Sequence, residues 1–230
     1  MALPWLLLAE LALYASCFVC GIVTAASLTI NQGNFGGLCM LYGTVAYNTT
    51  AGAITTKSSS SASLCYFVSA VSVMVAVVCF SLSLYWLYTC CVDGQIHRER
   101  VWMNLTLGLC AVFLFFLLIT GCMLKIGRDS LCSSVTQAVP NITRCEEAQS
   151  KTWASPVDGV KFYTSLHKAE TAVWVNFFFW LIIAVLVSIQ KKQNSGFKMV
   201  DMFGGALAGG DSSPTSGETE PFFNRPARPQ

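Results

Sequence analysis

The sequence predicts an all-α membrane protein: a four-transmembrane-helix bundle with two lumenal or extracellular loops, the second closed by a disulfide, and a disordered cytosolic C-terminal tail. Three observations carry that prediction. The chain of 230 residues is 54% hydrophobic and only 11% charged, with a mean hydropathy of +0.56, whereas an ordinary soluble domain is about a quarter charged. Four apolar blocks, 5–28, 64–90, 101–124 and 172–189, reach the length of about 20 residues that a hydrocarbon core about 30 Å thick demands of a helix. The polar inserts between them, 29–63 and 125–171, carry cysteines and glycosylation sequons. Blocks this continuous are helices, because lipid offers no partner to an unsatisfied backbone group.

An even number of spans puts both termini on one side. Lys and Arg near the helix ends do not say which side, since Arg98, Arg100, Lys191, Lys192 and Lys198 lie on one and Lys57, Lys125, Arg128, Lys161 and Lys168 on the other. The sequons Asn48-Thr49-Thr50 and Asn141-Ile142-Thr143 are separated by two spans and so share a side, which should be lumenal, with the termini cytosolic. Asn48 and Asn141 are the expected glycan acceptors. Asn104-Leu105-Thr106 sits in the opening turn of the third span on the other side and is not expected to be one. The net charge of +2 is scattered, so the chain shows no nucleic-acid surface.

In the first block Ala25-Ala26 resembles a cleavage site, but no basic n-region precedes it and the apolar part is long, so a retained span is expected. Cys17, Gly21 and Ala25 form a small-residue stripe for close helix packing. Glu10 interrupts the block. A carboxylate there is costly, and it is expected to meet Asn104, Arg98 or Arg100 at similar depth, or the cytosolic interface. In the loop that follows, Gly33, Gly36 and Gly37 suggest turns with positive φ, and the Ser/Thr-rich run 55–63 reads as a flexible linker able to carry O-glycans.

The second block has its own small stripe, Ser72, Ala76 and Ser83, and ends in Trp86, Tyr88 and Cys90-Cys91, a pair placed for S-palmitoylation at the cytosolic interface. Cys90, Cys91 and His97 do not have zinc spacing and lack a fourth ligand. Beyond the third block, Cys132 and Cys145 flank the second sequon with twelve residues between them. A bond there would contribute about 3 kcal/mol by loop closure. The four lumenal cysteines, Cys39, Cys65, Cys132 and Cys145, allow three connectivities. Local pairing, Cys39 with Cys65 and Cys132 with Cys145, is expected, with cross-loop pairing the alternative.

Phe162, Leu166, Ala169 and Val173 recur with helical period and run into the fourth block. The fourth helix is therefore expected to start near Val160, outside the membrane, to span about 30 residues or roughly 45 Å, and to pack its outer turns on the disulfide loop. His167 and Glu170 share one face at i, i+3. They form an ion or hydrogen-bond pair on this reading, metal binding or acid/base work being the alternatives. Asn176 is expected to hydrogen-bond between helices. The domain boundary falls after Lys192: residues 193–230, with their Gly pairs, Ser/Thr run and Pro221, Pro226 and Pro229, cannot bury a core. Phe222-Phe223 is a possible docking element within that tail.

No Walker loop, dinucleotide fingerprint, metalloprotease helix or nucleophile elbow occurs, and the chain has two histidines. No enzyme, cofactor, metal or small-molecule substrate is predicted. A tetraspanin-like protein should show Cys-Cys-Gly in the large loop, and a claudin-like one Gly-Leu-Trp followed by two cysteines in the first; here there is only Gly37-Leu38-Cys39. Five stretches are more telling: Gln32-Gly-Asn-Phe-Gly-Gly-Leu-Cys-Met-Leu-Tyr-Gly43, Ser63-Leu-Cys-Tyr-Phe-Val68, Ser130-Leu-Cys132, Cys145-Glu-Glu-Ala-Gln149, and the run from Phe162 to Asn176. Through them the chain, over nearly all of 1–192, resembles the transmembrane protein 179 family, most closely its B branch. The resemblance implies a four-pass membrane protein without an established activity or catalytic residues. The expected function is structural or adaptor-like, by lateral association with other membrane proteins in secretory, endosomal or plasma membranes. A transporter or channel subunit is the alternative.

Overall fold

A computed structural model describes residues 2–92 and 100–208. In chain order it contains α1 (Ala2–Asn34), β1 (Cys39–Asn48), β2 (Ala53–Ser60), α2 (Ala62–Val92), α3 (Arg100–Ala138), a 3-10 turn (Cys145–Ser150) and α4 (Phe162–Ala208). The chain divides into two units, Met1–Gln190 and Lys191–Gln230. The second begins within α4; the bundle and its cap belong to the first.

Among the described residues four helices are long and apolar enough to cross a membrane, and about a third of each apolar window is buried. The buried third makes the core, where Tyr14 of α1, Val75 of α2, Leu117 of α3 and Trp180 of α4 are fully enclosed. Phe115, Phe178 and Ile182 point outward. In water such a surface would be a large exposed patch; in a bilayer it is the surface the solvent prefers. The small residues set the closest approaches. A Cβ added to Gly21 would lie 2.8 Å from the Ser72 carbonyl oxygen and 3.0 Å from the Ala76 side chain, so the α1 and α2 stripes pack against each other. Gly121 similarly admits the Trp174 ring, 3.2 Å from where its Cβ would be.

The first loop departs from expectation. The Ser/Thr run is not a flexible linker: Ala53–Ser60 pairs antiparallel with Cys39–Asn48, Tyr47 opposite Ile54 and Asn48 opposite Ala53. Thr55 and Thr56 suit an extended backbone, and burial of Met40, Leu41, Val45 and Ile54 beneath the hairpin supplies the stabilisation. Leu41 rests on Gly127 of α3, 3.0 Å from where a Cβ would be, and Val45 donates its N–H to Ser134 Oγ (3.0 Å). Gly36 and Gly37 do take positive φ, but Gly33 lies within α1.

The second loop is also more ordered than expected, because α3 does not stop at 124. Leu124, Leu131, Val135 and Val139 continue one buried face upward, and the helix runs to Ala138, just before Val139 and Pro140. The position before a proline disfavours helical backbone. Cys132 therefore sits on a helix rather than in a loop. The disulfides close locally, Cys39 with Cys65 and Cys132 with Cys145. Trp153 organises the remainder: its ring meets Phe35 and Phe162 at centroid distances of 5.5 and 5.4 Å, and its Nε1–H donates to the Ala148 carbonyl (3.1 Å). On either side of it, Ile54 N–H donates to Thr152 O and Ala154 N–H to Ile54 O, both 2.9 Å, stitching hairpin to loop.

The start of α4 at Phe162 lies close to the expected position, and Gln149 receives the N–H and hydroxyl of Thr164 in its first turn (3.1 and 3.0 Å). The helix itself continues past Lys192 to Ala208, its last part lying in the second unit. Lys, Gln and Met are good helix formers and no proline occurs before Pro214. The rest of the tail, including Phe222-Phe223, lies outside the described residues.

Candidate functional site

Among the described residues, the densest cluster of ionic and hydrogen-bonding side chains lies where the outer turns of α3 and α4 meet. Helical spacing puts Lys125, Arg128 and Asp129 on the extension of α3, and His167 and Glu170 on the first turns of α4. Arg128 Nη1 makes an ion pair with Glu170 Oε2 and lies 3.0 Å from His167 Nδ1. Lys125 Nζ approaches Glu170 Oε1 at 3.9 Å, while Asp129 is held by Arg128 (3.0 Å) and Lys125 (3.7 Å). The Arg128 and Glu170 side chains are 12% and 9% exposed, whereas Lys125 and Asp129 are more than half exposed. The Tyr163 ring stacks on His167, with centroids 5.9 Å apart.

The chemistry follows from donor and acceptor roles. A guanidinium only donates, so His167 Nδ1 accepts from Arg128 and the neutral ring carries its proton on Nε2. Glu170 faces a permanent cation, which occupies the place a metal would need. Among the described residues no group of three His, Cys, Asp or Glu could hold a metal ion. The arrangement fastens α3 to α4. The i, i+3 pair read from the sequence is thus brought together, but through Arg128, which sequence reasoning missed. Its signal was present: Lys125, Arg128 and Asp129 follow the third apolar block at helical spacing, and Arg128, four residues after Leu124 and three before Leu131, falls at the edge of the same buried face.

The other predicted positions are dispersed. Asn48 and Asn141 are both exposed on the cap. Asn48 Oδ1 accepts the N–H groups of Thr50 and Ala51 at 3.0 and 3.2 Å, shaping the hairpin tip. Asn141 takes φ of 61°, a conformation that asparagine tolerates. Behind it, Glu147 accepts the N–H of Thr143 (3.0 Å) and of Arg144 (3.5 Å), and these bonds lower its pKa from the ordinary value.

Within the bundle, Glu10 is buried and accepts a 2.7 Å hydrogen bond from Gln190 Nε2 of α4. Of the expected partners, Asn104 is exposed, because Met103, Thr106 and Cys110 define the buried face of α3 and Asn104 lies off it, while the side chains of Arg98 and Arg100 lie outside the described residues. Asn176 is buried, yet its Oδ1 has no hydrogen-bond partner among the described residues, so the expected interhelical bond is absent at that atom. Cys90 and Cys91 end α2, but their side chains, like His97 and Arg98, lie outside the described residues.

A family model described as the Transmembrane protein 179/179B Claudin domain matches residues 6–218. Transmembrane protein 179B of Danio rerio is 62% identical over 229 residues, 100% of both chains. Its counterpart in Homo sapiens is 40% identical over 195 residues, 85% of this chain and 87% of the relative. The protein of that name in Mus musculus is 39% identical over 192 residues, 84% of this chain and 86% of the relative. No solved structure matches. The family description corrects the setting aside of a claudin relationship. That step depended on one short motif, whereas the match extends over all four helices and the cap.

Proposed function

We propose that this chain, which belongs to the transmembrane protein 179/179B family, is a non-catalytic membrane scaffold that associates laterally with other membrane proteins and presents its cap to the lumen or cell exterior, with both termini cytosolic. One observation carries this reading: the two inserts, 29–63 and 125–171, fold together into a cap closed by two disulfides and centred on Trp153. The strongest ionic groups beside it are engaged with one another. A fixed shape on a lipid-facing bundle suits recognition of a partner rather than turnover of a substrate. The exposed Asn48 and Asn141 support the orientation as glycan acceptors, and Cys90 and Cys91 at the opposite end of α2 are the proposed acylation sites.

Blue-native electrophoresis with crosslinking in native membranes tests the association; recovery of isolated monomer alone would overturn it. Asn48→Gln and Asn141→Gln should each remove one endoglycosidase-sensitive step in mobility if the cap is lumenal. A second reading, a subunit of a transporter or channel, is favoured by the burial of both Glu10 and Asn176 inside the bundle. Flux in proteoliposomes, abolished by Glu10→Gln, would support it; absence of flux in the parent protein removes it.

A further inference from the structure

Between the outer halves of α1 and α4 lies a groove of about 400 Å³ whose walls are Val19 and Val23 on one side and Ala172 and Val175 on the other. Its mouth is different. His167, Lys168 and Thr171 line that end, at the point where the last apolar block of the sequence begins. From Lys168 to Val175 the helix descends about 10 Å at 1.5 Å per residue, which is the distance from the headgroup region into the acyl region of one leaflet.

The polar groups at the mouth are available. Lys168 is exposed and has no ion pair or hydrogen bond among the described residues. The nearby carboxylates are engaged elsewhere: Glu170 with Arg128 and Lys125, and Asp129 with the same two cations. The hydrogen bond from Arg128 to His167 Nδ1 leaves the proton on Nε2, so His167 presents a second donor. Thr171 adds a hydroxyl one turn below Lys168. Three donors, one of them cationic, above an apolar trough in a membrane-embedded surface match an amphiphile with an anionic oxygen-rich head and a hydrocarbon tail.

We propose that this groove binds a phospholipid of the leaflet on the cap side, one acyl chain lying between α1 and α4 and the phosphate held by Lys168, His167 Nε2 and Thr171. The full chain, purified in mild detergent, is incubated separately with dioleoyl phosphatidylglycerol, dioleoylglycerol, glycerol phosphate and inorganic phosphate, and retained ligand is read by native mass spectrometry. Phosphatidylglycerol alone should be retained. Lys168→Glu should cut its retention about fivefold or more, the factor corresponding to the ~1 kcal/mol that one lysine contributes near an anionic lipid surface. Lys168→Arg should preserve it, and Val23→Trp, filling the trough from the lipid-facing side, should reduce it with the phosphate donors intact. Thermal unfolding midpoints equal to the parent's show that these exposed substitutions leave the fold unchanged; were Lys168→Glu to lower the midpoint, Lys168→Gln takes its place with the same expected loss. Equal retention of dioleoylglycerol would overturn the proposal by showing a crevice that does not recognise phosphate. Equal binding of glycerol phosphate or inorganic phosphate would overturn it in favour of a soluble anion site, and unchanged retention by Lys168→Glu or Lys168→Gln would remove the headgroup contact altogether.

Discussion

Replacing Arg128 by alanine should loosen the joint between α3 and α4. Breaking a buried ion pair from one side typically costs 3–5 kcal/mol, because the surviving charge is left in a poorly solvated place. Here the survivor is Glu170, 9% exposed. Lys125 remains 3.9 Å away, but it is more than half exposed and a pair of that kind returns at most ~1 kcal/mol. His167 also loses a donor, but it is exposed and water replaces the bond. The expected net loss is about 2–4 kcal/mol, or roughly 4–16 °C in unfolding midpoint at 2–4 °C per kcal/mol for a chain of this length. The assay is thermal unfolding in detergent followed by tryptophan fluorescence, with Arg128→Met, Glu170→Met and the double variant completing a cycle. Because the double variant removes both buried charges, it should regain most of what either single variant loses. A midpoint for Arg128→Ala within a degree of the parent, or a double variant no better than the singles, would refute the argument that a desolvated charge pair holds the joint.

Trp153→Ala removes the ring that Phe35 and Phe162 pack against, and should cost about 3–5 kcal/mol. That loss should appear as faster hydrogen exchange in the hairpin and residues 145–161, with the membrane helices unchanged. Gly21→Val forces a side chain onto the Ser72 carbonyl and Ala76, so the unfolding midpoint should drop by the equivalent of ~1–3 kcal/mol of overpacking, while Gly108→Val, with open space around it, should have little effect. Glu147 has a folded pKa below its ordinary value of 4.5, chiefly through the N–H groups of Thr143 and Arg144. Its contribution is therefore complete above about pH 4.5 and is lost as the pH falls through the lower folded value. Protection of the Thr143 and Arg144 amides should fall away in that acid range in the parent and should be weak and pH-independent in Glu147→Gln.

How much of this was readable in advance depended on whether a property is local. The four helices follow from hydropathy summed along continuous segments, and lipid enforces them because no other open backbone is satisfied there. The outer turns of α4 were equally legible, since Phe162, Leu166, Ala169 and Val173 repeat without a break. Cys132 and Cys145 sit close in sequence with a turn between them, so their pairing needs little else. The continuation of α3 was legible but obscured: Lys125, Arg128 and Asp129 resemble a loop until Leu124, Leu131 and Val135 are read as one face.

By itself, then, the sequence determined the four-helix membrane architecture, the shared side of Asn48 and Asn141, and the local cysteine neighbourhoods, because burial, helical period and chain parity are properties of contiguous residues. Only the tertiary structure decided that Ala53–Ser60 is a strand, since a Ser/Thr run becomes one when a partner strand and the face of α3 lie beneath it. It likewise decided that Glu10 meets Gln190, 180 positions away, and that Glu170 and His167 close on Arg128. A charged group placed where water is scarce must find a partner, but which one it finds depends on how the helices are rotated against one another. That rotation is set by packing around Gly21 and Gly121, where one absent side chain lets a neighbouring helix approach.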